Sequence, residues 1–281
     1  MIIDLHTHTF PDAIASDAVR SLRAASHTRA FSDGTLGGLK RSMADAGIDM
    51  SVILPVATKA RQVPHINDAA IRISEMSGST GLISFGCAHP DQDDPLPELK
   101  RLRAAGIRGV KLHPPYQGVR FDDPRYLRIL DAAGQEGLIV TIHAGLDIGL
   151  PEARYAMPEM IRAALDHTGP ATLVLAHMGG WRCWDDLDCL PGTGVYLDTS
   201  FSLGTLVPVD NTYHTGENRK LLDPERFTAL CRAFGTDHIL FGTDSPWADQ
   251  GSAKRDIEDL PLSAKEKASI LGGNAARLLG L

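Results

Sequence analysis

RGVKLH at residues 108–113, LIVTIH at 138–143 and TLVLAH at 172–177 share one form, a short run of mostly apolar, β-branched residues that ends in histidine. Such runs are too short for amphipathic helices and too continuous for half-exposed strands, so they read as parallel strands buried on both faces. Working outward, the same form recurs in MIIDLH from Met1, MSVILP from Met50, LISFG from Leu82, GVYLD from Gly194 and HILFG from His238. The eight runs alternate with stretches of helical periodicity. In DAGIDM, AAGIRG, AAGQEGLIV and CRAFGTDHI a glycine stands where a helix should stop before the next strand.

Eight strand–helix alternations predict an α/β chain closed into a (β/α)8 TIM barrel with its active site at the C-terminal ends of the strands. At those ends stand His6, Pro55, Cys87, His113, His143, His177, Asp198 and Asp244. A doubly wound dinucleotide-binding sheet would carry GxGxxG after its first strand, whereas this turn reads HTHTFPDA. No linker or low-complexity tract divides the chain. Residues 1–281 are therefore expected to form a single domain, with a helical insertion at about 9–47. That insertion holds one helix near 13–25, read as part of a cover over the barrel mouth, and another near 36–46.

Hydrophobic residues make up 43% of the 281 positions and charged residues 22%, which places the chain among ordinary globular proteins. The net charge of −7 and the absence of a dense Lys/Arg run argue against binding along a nucleic-acid backbone. A local basic pocket for a small anion remains compatible with that balance. The four cysteines form no CxxC pair, and no secretory leader or 18-residue apolar run is visible. The expected setting is the reducing cytoplasm, without a membrane span.

His6 and His8 are two residues apart at the end of a strand, so both imidazoles point to the same side. With His143, His177 and Asp244 they would bring five ionisable groups to one mouth, in a fold whose interior prefers branched apolar side chains. Burying them costs several kcal/mol unless they are paired or bound to a cation. A metal centre resolves that cost.

MIIDLHTHTF, GVKLHP, TIHAG, LAHMGG, FGTDSPW and the closing GGNAARLLG resemble the amidohydrolase superfamily along the whole chain. The nearest branch is the amidohydrolase-related one, which also holds aminocarboxymuconate-semialdehyde decarboxylase-like enzymes. The resemblance implies a distorted barrel. It makes His6, His8, His143 and Asp244 metal ligands, and His177 and Asp244 the catalytic pair. In two-metal members the position of His177 binds a second ion, and a carboxylated lysine on the fourth strand, here Lys111, bridges the pair. Lys111 has two other readings: a cation gripping a substrate carboxylate, or a lysine with a structural partner. The expected cofactor is one divalent ion, or two, with three imidazoles and a carboxylate favouring zinc slightly.

Lys59, Arg61, Lys111 and Arg182 are candidates for an anion-binding rim, and His113, Trp181 and Trp247 for further substrate contacts. Asp198 is expected to orient an imidazole such as His177 through its second ring nitrogen. Two reaction classes suit this site. The first is hydrolysis of a C–N or C–O bond in a small amide, cyclic amide, lactone or ester. The alternative is non-oxidative decarboxylation of an aromatic or unsaturated carboxylic acid. The expected partner is a small-molecule substrate, anionic in the second case, and a homodimer is favoured over a monomer on base rate.

Overall fold

The computed structural model describes residues 1–169 and 171–281. Nine strand segments occur among them: β1 (Ile3–Thr7), β2 (Met50–Ile53), β3 (Leu82–Ser84), β4 (Gly86–Cys87), β5 (Gly109–Leu112), β6 (Ile139–Ile142), β7 (Thr172–Leu175), β8 (Tyr196–Asp198) and β9 (Ile239–Leu240). They alternate with helices in the order of a distorted (β/α)8-like parallel-sheet barrel, and the metal-binding side chains lie near the C-terminal ends of the strands. The chain divides into two compact units. One comprises Met1–Val52, Ile148–Leu150 and Asp198–Leu281, the other Ile53–Asp147 and Pro151–Leu197.

In the first unit β1 is wholly buried. Leu5 N–H donates to Phe241 O just beyond β9, and Met50 N–H of β2 donates to Ile2 O. Thr199 N–H, just past β8, reaches Leu240 O of β9. The helices expected near 13–25 and 36–46 are present as Asp12–Ser26 and Leu36–Ala46. Thr35 caps the second by accepting Gly38 N–H, and Gly47 closes it in the left-handed region. Asn274 in the closing segment anchors the last helix by donating to the carbonyls of Thr236 and Ile239.

In the second unit β4 to β8 pair in parallel and in sequence order. Val110 faces Val140, Lys111 faces Thr141, and Thr141 faces Val174. Cys87, Lys111 and Thr141 consequently stand in one lateral row. The residues of β5 and β6 are all buried, Lys111 and Thr141 included. Gly106 and Gly137 end their helices at positive φ, as the sequence pattern predicts.

The third run departs from expectation. Read as one strand, LISFGC is two, broken at Phe85. Phe85 N–H donates back to Ile53 O at 2.9 Å, while Gly86 and Cys87 turn to pair with Val110 and Lys111. The helix Val63–Glu75 covers the break with side chains. Ser74 Oγ bonds both N–H and O of Ser84, and Asn67 bonds both N–H and O of Cys87. Backbone groups that lose a strand partner thereby keep a bond, as buried backbone must.

Candidate metal centre and active site

Within the first unit, β1 and the residue after it deliver His6 and His8, and the turn after β9 delivers Asp244. His6 Nε2 lies 3.1 Å from His8 Nε2. Asp244 Oδ1 lies 3.4 Å from the first nitrogen and 3.1 Å from the second. Donors about 2.0–2.1 Å from a tetrahedral zinc-sized ion stand roughly 3.3 Å apart, so the set fits one divalent cation. Its chemistry fits as well, because two ring nitrogens presenting lone pairs at this spacing repel unless a proton or a cation lies between them.

His6 is committed to the nitrogen it presents. Its Nδ1 lies 2.8 Å from Asp198 Oδ2, and a carboxylate oxygen there requires Nδ1 to carry the proton, leaving Nε2 as the donor atom. Ser200 Oγ donates to Asp198 Oδ1 and sits 3.0 Å from the same ring nitrogen. Asp198 thus orients His6, where the sequence reading offered His177 as its example. The reason is adjacency: Thr199, the residue after Asp198, bonds to β9, and β9 leads into Phe241, which bonds to β1.

Close backbone approach makes this geometry possible. A Cβ on Gly242 would come within 2.9 Å of His6 Cβ, so the glycine of GTD is required for packing. Asp244 N–H donates to His6 O at 2.8 Å, and His8 N–H to Ser245 O at 2.6 Å. Asp244 itself lies at φ 64. Asp4, two residues before His6, is fully buried and accepts four hydrogen bonds, from His6 N–H, Thr243 N–H, Thr243 Oγ1–H and Gln250 Nε2–H. Burial pushes its carboxyl up to about 7 against the pull of these donors. The sequence reading passed over Asp4, although a lone acid inside the apolar run MIIDLH was a visible signal.

Within the second unit a further cluster forms at the ends of β5, β6 and β7. His143 Nε2 lies 3.0 Å from Leu146 O, which can only accept, so Nε2 carries the proton and Nδ1 the lone pair. Nδ1 lies 3.1 Å from His177 Nε2. The His113 ring stacks on His143 at 4.3 Å and on Tyr116 at 4.0 Å. The buried Asp147 places Oδ2 3.7 Å from His113 Nε2 and 3.8 Å from His143 Nε2. His113, His143 and Asp147 are thus a second donor group of metal-holding dimensions. Asp147 was missed in the sequence, where only its position four residues after His143 pointed to it.

The turn beyond His143 is tightly drawn. Gly145, at φ +82, has the backbone of Gly180 and Trp181 within about 2.5 Å of where a Cβ would stand. Leu146 N–H donates to Trp181 O, and Trp181 N–H to Ala144 O. His177 lies at φ 60, and its carbonyl accepts Trp184 Nε1–H at 3.0 Å.

Of the remaining expected contacts, Lys59, Arg61, Lys111, Trp181 and Arg182 belong to the second unit and Trp247 to the first. Lys111 is 1% exposed within β5, two residues before His113. Lys59 and Arg61 are exposed around a short 3-10 turn. Trp181 is buried with the Arg182 guanidinium 5.1 Å above its ring. In the first unit half-buried Trp247 lines a cavity of about 160 Å³ together with Phe31, Phe201, Thr199 and Asp249.

Residues 3–281 match the family described as Amidohydrolase. A search of curated proteins returned no match. Among solved structures the chain is similar to 5-carboxyvanillate decarboxylase from Sphingomonas paucimobilis, at 16% identity and TM-score 0.66, covering 100% of this chain and 99% of that one. A 2,6-dihydroxybenzoate decarboxylase from Rhizobium matches at 15% identity and TM-score 0.67, covering 99% and 98%. A TIM-barrel protein from Bordetella bronchiseptica matches at 18% identity and TM-score 0.74, covering 99% and 98%. At these identities the shared property is the fold.

Proposed function

The chain belongs to the amidohydrolase family, and from that premise we propose that it removes CO2 from an aromatic or unsaturated carboxylic acid without oxidation. It is a metal-dependent enzyme of the amidohydrolase/decarboxylase type acting on a small carboxylate or amide. What supports decarboxylation is that 5-carboxyvanillate decarboxylase and 2,6-dihydroxybenzoate decarboxylase share this fold over almost their whole length.

His6 Nε2, His8 Nε2 and Asp244 Oδ1 would hold the cation, and zinc is the ion we propose. When bound, it supplies fixed positive charge for substrate oxygens. The rest falls to the chain. Decarboxylation needs a proton at the carbon that bears the carboxylate, and the C–C pair must return to the ring as CO2 leaves. Asp244 Oδ2 and His177 Nε2 are the atoms from which that proton would come. Lys111, Lys59, Arg61 and Arg182 are the cations from which a carboxylate clamp would be drawn. His113, Trp181 and Trp247 are the rings for a flat substrate. A symmetric homodimer is the assembly we propose, which light scattering reads directly.

Hydrolysis is the second reading, favoured by the family description and by a carboxylate beside two imidazoles, the groups that handle protons for attacking water. The test offers metal-loaded protein a panel of aromatic and dienoic acids, then a panel of lactones, cyclic amides and N-acyl compounds. The expected result is CO2 release with carbon-bound deuterium in the product when the solvent is deuterated. Incorporation of ¹⁸O from labelled water into a new carboxylate, with no CO2 from any acid, would reverse the assignment.

A further inference from the structure

We infer that Asp4 is a positioning residue for the cation site, holding the strand that carries His6 and His8 and the turn that carries Asp244 at the spacing one ion requires. The inference rests on the reading of His6, His8 and Asp244 as cation ligands. An apolar side chain at position 4 would continue the run MIIDLH and bury at far lower cost than a carboxylate, which needs its hydrogen bonds merely to break even. What the carboxylate gains is the set of groups it gathers.

Oδ1 accepts the backbone N–H of His6 at 3.1 Å and that of Thr243 at 3.0 Å. Oδ2 accepts Thr243 Oγ1–H at 2.6 Å and Gln250 Nε2–H at 2.7 Å. The first two tie a ligand residue on β1 to the residue directly before a ligand on the turn. The segments are 239 residues apart in the chain, so no local preference sets their spacing. The turn also needs holding, since a non-glycine residue at φ 64 such as Asp244 sits in a sparsely populated region. A shift of a few tenths of an ångström between β1 and the turn would spoil donor separations of 3.1–3.4 Å.

Two kinds of bond meet at Asp4. Those to His6 and Thr243 set the ligands, whereas the bond to Gln250 anchors the helix Gln250–Glu258. Gln250 also keeps a spare acceptor, because its Oε1 is buried without a hydrogen-bond partner. In Asp4→Asn the Oδ1 bonds persist, and a turned Gln250 amide would offer Oε1 to the new N–H2. Asparagine should therefore rescue the position.

The experiment measures the dissociation constant for Zn2+ alone, by chelator competition on the full chain at neutral pH, together with the thermal midpoint of the metal-free protein. Asp4→Ala should bind Zn2+ about 10–100-fold more weakly, the range for losing a group that orients a metal ligand. Asp4→Asn should stay within about 3-fold of the wild type. Gln250→Leu should lower the thermal midpoint and leave Zn2+ affinity unchanged. If Asp4→Ala does not fold, Thr243→Val, which leaves Asp4 in place and removes the hydroxyl that donates to Oδ2 and accepts Ser245 N–H, should still weaken Zn2+ about 5-fold. Wild-type affinity in folded Asp4→Ala or Thr243→Val, or equal losses in the Asn and Ala variants, overturns the inference. Failure of the wild type itself to bind Zn2+ would instead overturn the reading of the cation site on which it rests.

Discussion

His143 and His6 have opposite ring nitrogens protonated, and in each case a neighbouring oxygen decides which. Leu146 O holds the proton of His143 on Nε2, and Asp198 holds that of His6 on Nδ1. The lone pair of His143 is thereby turned toward His177 Nε2, which places His177 beside a fixed acceptor. If His177 acts as proton donor while the ion is held elsewhere, His177→Asn should keep one Zn2+ per chain and lose about 10²–10⁴-fold in rate. Metal content and steady-state turnover on the same preparation check both halves. Loss of zinc together with activity would make His177 a ligand, and an unchanged rate would make it structural.

At the scale of elements, the break in the third strand run is held by the helix Val63–Glu75 and stiffened by an ion pair. Asn67 Nδ2 donates to Cys87 O and to Glu98 Oε1, and Arg101 grips Glu98 from the solvent side. Arg101 holds the Glu98 carboxyl below its ordinary value of 4.5, with Asn67 adding to the effect. A carboxylate with a lowered folded pKa stabilises fully above its unfolded value and loses that stabilisation as pH falls through the folded value. Glu98→Gln should therefore cost about 1 kcal/mol at pH 7, a modest figure because Arg101 is exposed. The difference from wild type should shrink toward zero as pH falls from 4.5 through the lowered folded value. Thermal midpoints of the two proteins across that range provide the measurement, and a constant difference would remove Glu98 from this role.

At the scale of the whole molecule, an ion that binds only the folded chain raises stability by mass action. With Zn2+ at about 100 times its dissociation constant the gain is about 2.7 kcal/mol. For a chain of this length that corresponds to roughly 5 °C in the thermal midpoint. Chelator should reverse the shift in wild-type protein, and His8→Ala should show none. Calorimetry with and without the ion checks this, and an equal shift in His8→Ala would place the ion elsewhere. Among the described residues no helix is long and apolar enough to cross a membrane.

Strand existence and strand ends were legible in the sequence because they are local. RGVKLH, LIVTIH and TLVLAH carry their own burial pattern, and His6-Thr7-His8 carries its own geometry, since period two is a property of any strand. Helix ends at Gly47, Gly106 and Gly137 were legible for the same reason. Sequence alone could not show that Asp198 serves His6, a pairing across 192 residues, nor that Asp4 reaches Thr243. It could not show the break at Phe85 either, because LISFGC is as apolar as its neighbours and the break depends on where Ile53, Ser74 and Asn67 stand. Partner choice at a buried polar group is settled by which backbones pack together, and only the tertiary structure fixes that. The identity of the groups was written in the chain; the nitrogen each histidine presents was decided by neighbours that folding brought to it.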